Sequence, residues 1–283
     1  MSLRSAPRTG KVIVASISGA TVLLVLLSLL LFPRVGYASK KTGANVAYAK
    51  LTHSPTGSVR LSYNASTKTL VVTAKLVGLA PSSTHPAHIH AGSCQNPTDA
   101  IKYPLTDVTA DQTGQGTSTT TLKNIADGIP ATGWLINVHN GPKLQSADQE
   151  ISIACATILN PDAATSVDAT FGPSTSSNEN AVGDSKLSVE NNTLTVTLNV
   201  SGLVPNSTHA AHIHAGNCNY TQKVLYDLSP LQVDSNGNAT KTMTFSGVSS
   251  IPATGWDINV HYSTDLSTQT GYNPVLCGNV ITN

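Results

Sequence analysis

Two stretches of the 283-residue chain carry the same imidazole-rich pattern: Ser83-Thr84-His85-Pro86-Ala87-His88-Ile89-His90-Ala91-Gly92-Ser93-Cys94 and Ser207-Thr208-His209-Ala210-Ala211-His212-Ile213-His214-Ala215-Gly216-Asn217-Cys218. Eight of the nine histidines fall in these stretches or in a second shared one, Asn137-Val138-His139 and Asn259-Val260-His261. On a β-strand alternate side chains share a face, so His88 and His90 point one way and Ile89 the other, with both imidazoles able to grip one ion. A single His-x-His on a strand is commonly a polar surface pair. Here it recurs, with a third histidine 49 residues on in one copy and 47 in the other, and a cysteine 16 residues after that in both. Three imidazoles with an open position suit copper or zinc, and the general affinity order favours copper. The candidate metal ligands are therefore His88, His90 and His139 in the first copy and His212, His214 and His261 in the second. Each set is expected on the outer side of a sheet, with Ile89, Val138, Ile213 and Val260 facing the core.

His85 and His209 stand three residues before each pair. That odd spacing turns them to the opposite face of a regular strand, which favours a hydrogen-bonding role, although a bend would make them additional ligands. Trp134 and Trp256 read as core caps beside the sites. Asn137 and Asn259 share the histidine face, as does Asp257, which Leu135 replaces in the first copy.

The strands that must position these groups are visible as alternation. Leu70, Val72, Ala74 and Leu76, and more strictly Leu194, Val196, Leu198 and Val200, mark half-buried strands. Asn64 to Lys68 and Glu190-Asn191-Asn192 are their turns. Further strands are expected near 101–109, 115–122, 133–139 and 150–158, with counterparts near 223–229, 238–246, 255–262 and 275–282. About seven short strands per copy predict an all-β chain of two tandem Greek-key β-sandwiches, over residues 43–160 and 161–283. A linker is expected within 160–184. Alternation of Val46, Tyr48 and Lys50, and of Val167, Ala169 and Phe171, predicts that each domain begins with its own first strand.

Residues 1–42 read as an export segment. Arg4, Arg8 and Lys11 precede an uncharged run from Val12 to Phe32, and Gly36-Tyr37-Ala38 offers a small-residue cleavage site. The 21-residue run is long enough for a membrane-spanning helix, so both a cleaved signal peptide and an uncleaved anchor fit; by the positive-inside rule, either leaves the rest of the chain outside the cytoplasm. Without residues 1–38 the chain holds 12 Lys and Arg against 15 Asp and Glu, which argues against a nucleic-acid partner. Four cysteines in an exported chain favour disulfides. Three pairings are possible, and the repeat supports Cys94 with Cys155 and Cys218 with Cys277.

The pattern Gly-Leu-x-Pro-x-Ser-Thr-His-x-Ala-His-Ile-His-Ala-Gly, followed by Trp-x-Ile-Asn-Val-His and a cysteine-bearing last strand, resembles the CHRD (chordin-type) domain and, more distantly, the copper–zinc superoxide dismutases. The resemblance spans both repeats. It implies that the six histidines are copper ligands and lends support to the within-repeat cysteine pairings. The dismutases' bridging histidine and zinc ligands have no counterparts after Cys94 or Cys218, and the last strands, Ser152-Ile153-Ala154-Cys155 and Pro274-Val275-Leu276-Cys277, lack an arginine. The favoured reading is a secreted or membrane-anchored copper-binding protein, for storage, buffering or transfer. A dismutase-like redox enzyme and a metal-free extracellular interaction module are the alternatives.

Overall fold

The structure is a computed structural model and describes residues 43–282. The leader, with its expected anchor at residues 12–32, lies outside the described residues; among those described, no helix is long and apolar enough to cross a membrane. The described chain is all-β, with two four-residue helices, α1 (Ala147–Glu150) and α2 (Gln269–Tyr272). Each repeat supplies eight longer strands. Repeat 1 holds β1 (Val46–His53), β2 (Thr56–Asn64), β3 (Thr69–Val77), β4 (Ala87–Ser93), β5 (Asn96–Pro104), β6 (Gly116–Leu122), β7 (Trp134–His139) and β8 (Ser152–Ile158). Repeat 2 holds β9 (Ser166–Phe171), β10 (Val182–Glu190), β11 (Thr193–Ser201), β12 (Ala211–Asn217), β13 (Tyr220–Asp227), β14 (Asn238–Ser246), β15 (Trp256–His261) and β16 (Pro274–Asn279).

The predicted alternation is present in β3 and β11, whose named residues are all buried. The turn between β10 and β11 consists of Asn191 and Asn192, both at positive φ, the backbone that a two-residue hairpin matched to strand twist requires. In repeat 1 the wider turn is held by Asn64, whose Oδ1 accepts hydrogen bonds from the backbone N–H groups of Ser66 and Thr67.

Each sandwich packs a histidine-bearing sheet against a second sheet. In the first, the order β8-β7-β4-β5 faces β9-β2-β3-β6; in the second, β13-β12-β15-β16 continues through β1 into β10-β11-β14. The first strands are therefore exchanged. Repeat 1's β1 pairs with β10 and β16 of repeat 2, and repeat 2's β9 pairs with β2 of repeat 1. This departs from the expectation that each domain begins with its own first strand. Ser54 and Pro55 alone separate β1 from β2, and neither takes the positive φ of a tight hairpin, so the chain runs on into the neighbouring sandwich. Along β1, Ala47, Ala49 and Leu51 enter the second core, while Val46, Tyr48 and Lys50 face out. Val167 and Phe171 of β9 enter the first core. His53, the histidine outside the repeated stretches, ends β1 with its Nδ1 3.5 Å from the buried Glu179 carboxylate.

The disulfides are Cys94–Cys155 and Cys218–Cys277, closing segments with sequence separations of 61 and 59. In the chain-entropy account each stabilises by about 4 kcal/mol. Between the repeats, Asn273 Nδ2 donates to Asn140 Oδ1 at 2.6 Å and to its carbonyl at 2.9 Å, while Gln269 Nε2 donates to the carbonyls of Thr84 and Asn140.

The exchange predicts where damage will be felt. Leu51→Ala should cost about 2–5 kcal/mol, as truncation of a fully buried leucine does. Hydrogen exchange should speed up first in β10 and β16 of repeat 2 rather than in β2 and β3 of repeat 1; the reverse order would contradict the exchanged topology.

Candidate metal centres

Antiparallel pairing brings the two histidine motifs of each copy together. β4 lies against β7 with His88 opposite Asn137, Ile89 opposite Ile136 and His90 opposite Leu135. β12 lies against β15 with His212 opposite Asn259, Ile213 opposite Ile258 and His214 opposite Asp257. The apolar members of each pair fill the core, so the histidines must share the other face. Register shifts fall between Ile89 and His90 and between Val138 and His139, and again between Ile213 and His214 and between Val260 and His261. Bulges of this kind re-aim side chains, and here they occur at the same ligand positions in both copies.

The result is two three-histidine groups, His88, His90 and His139, and His212, His214 and His261, with the ligand nitrogens of each within 4.8 Å of one another. His88 Nδ1 lies 3.3 Å from His139 Nε2. Two nitrogens each about 2.0–2.1 Å from a shared ion would stand roughly 3.3–3.6 Å apart at tetrahedral to trigonal angles, so this pair already has the needed spacing.

In four of the six rings the other nitrogen is committed to a backbone carbonyl. His139 Nδ1 donates to Glu150 O at 2.8 Å and His90 Nδ1 to Thr98 O at 3.2 Å; in the second copy His261 Nδ1 donates to Tyr272 O at 2.6 Å and His214 Nδ1 to Gln222 O at 2.9 Å. A carbonyl accepts a proton and offers none, so each bond fixes the tautomer and turns the Nε2 lone pair inward. In the second group His212 Nδ1, His214 Nε2 and His261 Nε2 are buried without a hydrogen-bond partner. Such atoms are costly to leave unmatched, and a bound cation is what would match them. The accepting carbonyls come from the segments that follow each histidine-bearing strand, and no side-chain pattern marks them in the sequence.

The outward-facing expectation for the histidines is corrected by their burial. His90, His139, His212, His214 and His261 are buried and His88 half-buried, because the stretches around Thr98, Glu150, Gln222 and Tyr272 fold over them. In repeat 2 the Tyr272 ring lies 5.1 Å from that of His261, and the Gly78 to Pro81 turn of repeat 1 lines a cavity of about 20 Å³ together with His214, Asn259 and His261.

His85 and His209 are fully buried with both ring nitrogens in use. His85 bonds Ser83 Oγ at 2.7 Å and donates to His139 O at 2.7 Å; His209 repeats this with Ser207 Oγ and His261 O, both at 2.8 Å. Neither has a nitrogen left for an ion, so both position the backbone of the third histidine. Asn137 accepts from Ser152 Oγ, and Asn259 donates to Thr221 Oγ1. Trp134 and Trp256 pack edge-on against Tyr103 and Tyr226. Asp257 is buried with Oδ2 accepting from Thr221 Oγ1 at 3.1 Å, and burial pushes its carboxyl up to about 7.

Burial holds the imidazoles below their ordinary value near 6.5. His88 is lowered to about 4 by desolvation and then by the charges of His139 and His90, His261 to about 3 by desolvation, and His139, His212 and His214 are lowered chiefly by the same cause. Above pH 6.5 these groups are neutral whether folded or unfolded. Below it, the unfolded chain takes up protons that the folded chain refuses, so stability is lost as pH falls from about 6.5 towards 4. Glu179 and Asp257, raised by burial, act in the opposite sense but are two against eight lowered histidines. The metal-free protein should thus unfold at a lower denaturant concentration at pH 5 than at pH 7.5; equal midpoints would contradict the burial of the imidazoles.

Comparison with known proteins agrees with the doubled pattern. No curated protein matches the chain. The CHRD domain family model matches twice, over residues 37–143 and 162–265, so both three-histidine groups fall within it, while the last strand of each repeat, with Cys155 or Cys277, lies beyond the matched residues. The chain belongs to the CHRD domain family, as a tandem of two such domains.

Proposed function

We propose that this is an extracytoplasmic copper-binding protein, secreted or held at a membrane through residues 12–32, with one three-histidine site per repeat that stores, buffers or hands on the ion as cargo. The observation that carries this reading is the convergence of three buried ring nitrogens without protein partners, His212 Nδ1, His214 Nε2 and His261 Nε2, in a donor set free of thiolates. Neutral imidazole suits copper and zinc, and the affinity order among divalent ions places copper above zinc. Two intrachain disulfides and the absence of free cysteine among the described residues suit an oxidising compartment and remove the thiol alternative.

What the protein contributes is orientation and timing of protons. The carbonyls of Glu150, Thr98, Tyr272 and Gln222 keep one proton on a ring nitrogen facing away from the ion, so binding does not require that proton to leave. In the first site, the His88 Nδ1 proton shared with His139 Nε2 is the one an ion would displace.

Titration of the disulfide-intact chain with Cu(I) and with Cu(II) against competing chelators should reach two ions per chain. His90→Ala/His139→Ala should reduce this to one with the fold retained, and affinity should weaken as pH is lowered from 7.5 to 5.5, because protons compete for the ring nitrogens. No binding to the parent chain, or two ions retained by the double variant, would overturn the reading.

A further inference from the structure

The two sites differ in one buried charge. In repeat 2, Asp257 stands opposite His214 across the β12 and β15 pairing; in repeat 1 the same register place, opposite His90, is held by Leu135. Asp257 has no exposed surface. Its Oδ2 accepts from Thr221 Oγ1, and its Oδ1 is buried with no partner. Along β15 it alternates with Asn259 and His261 and so shares their face. Leu135 is fully buried in a small apolar cluster with the Cys94–Cys155 disulfide; Asp257 likewise lies against the disulfide of its own repeat, with Oδ2 3.8 Å from Cys277 Sγ, so the two positions differ in the charge and not in the niche.

Other carboxylates near the sites are exposed. Asp227 Oδ1 lies 3.5 Å from His212 Nε2, but its side chain is 67% accessible. Glu150, which acts on His139 in the first site, is also exposed. Water and salt screen such charges. The buried carboxyl of Asp257 is not screened in that way; burial makes its ionised form costly, and a neighbouring cation is what would offset that cost.

Resting on the metal-binding reading above, we infer that Asp257 is a specificity-determining residue which makes the second site favour Cu(II) over Cu(I), a preference the first site, with Leu135, lacks. Three neutral imidazoles add no charge of their own to either ion. A carboxylate one cross-strand position away, where opposed Cβ atoms are about 4.5–5.5 Å apart, adds an attraction that doubles when the ion's charge doubles. At the effective dielectric of protein sites this amounts to a discrimination of at least about tenfold between the two oxidation states. The two repeats thus bind the same element in different forms: a site indifferent to charge in repeat 1 and a divalent site in repeat 2.

The test uses the full chain with the first site silenced by His90→Ala/His139→Ala. Cu(I) and Cu(II) affinities and the copper midpoint potential are compared for Asp257, Asp257→Asn and Asp257→Glu. Asp257→Asn should lose at least tenfold in Cu(II) affinity relative to Cu(I), raising the midpoint by about 59 mV or more, and Asp257→Glu should keep the divalent preference. A chain with the second site silenced instead, by His212→Ala/His261→Ala, gives a comparison that does not depend on how well the Asp257 variants fold. The first site should then show the higher midpoint. Copper bound with equal midpoints in the two single-site chains, or an unchanged ratio in Asp257→Asn, would overturn this inference and leave the metal sites standing. Binding of neither ion by the parent would remove both.

Discussion

The structure depends on one antiparallel contact made twice, the pairing of the His-x-His strand with the Asn-Val-His strand. Because side chains alternate, putting Ile89 against Ile136 and Ile213 against Ile258 inside the core leaves the imidazoles no face but the other. The bulges at the ligand positions then bend three rings towards one point, and carbonyls from the covering segments fix which nitrogen each ring presents. His85 and His209 secure the last member of each set by accepting or donating at both ring nitrogens, so every histidine of the repeated motif has a defined task.

Around that contact the two repeats are joined more closely than a linker would join them. Exchange of β1 and β9 makes each core partly the property of the other repeat, and the disulfides tie the turn after each His-x-His strand to the last histidine-sheet strand of the same repeat. The contact between Asn140 and Asn273 sits one residue beyond His139 and one beyond Tyr272, the carbonyl partner of His261. Both sites therefore border the junction between repeats, with the Gly78 to Pro81 turn of one repeat beside the histidines of the other.

Much of this was legible in the sequence, for physical reasons that can be named. Alternation in β3 and β11, the Asn turns and the repeated spacing of His and Cys are local signals, and the strands, disulfides and histidine groupings follow from them. The exchange was not legible, since the first strands of both repeats present similar alternating patterns and alternation does not say which sandwich a strand joins. Burial of the imidazoles was missed for a related reason. What covers them is backbone from segments around Thr98, Glu150, Gln222 and Tyr272, and a carbonyl leaves no mark on the residue pattern.

X-ray absorption of the copper-loaded chain tests the central claim, that these imidazoles form the ion's immediate surroundings. The account predicts imidazole nitrogen scatterers at about 2 Å, with the outer-shell features of histidine rings and no sulfur neighbour. A first shell made of oxygen atoms without ring scattering, or one containing sulfur, would contradict it.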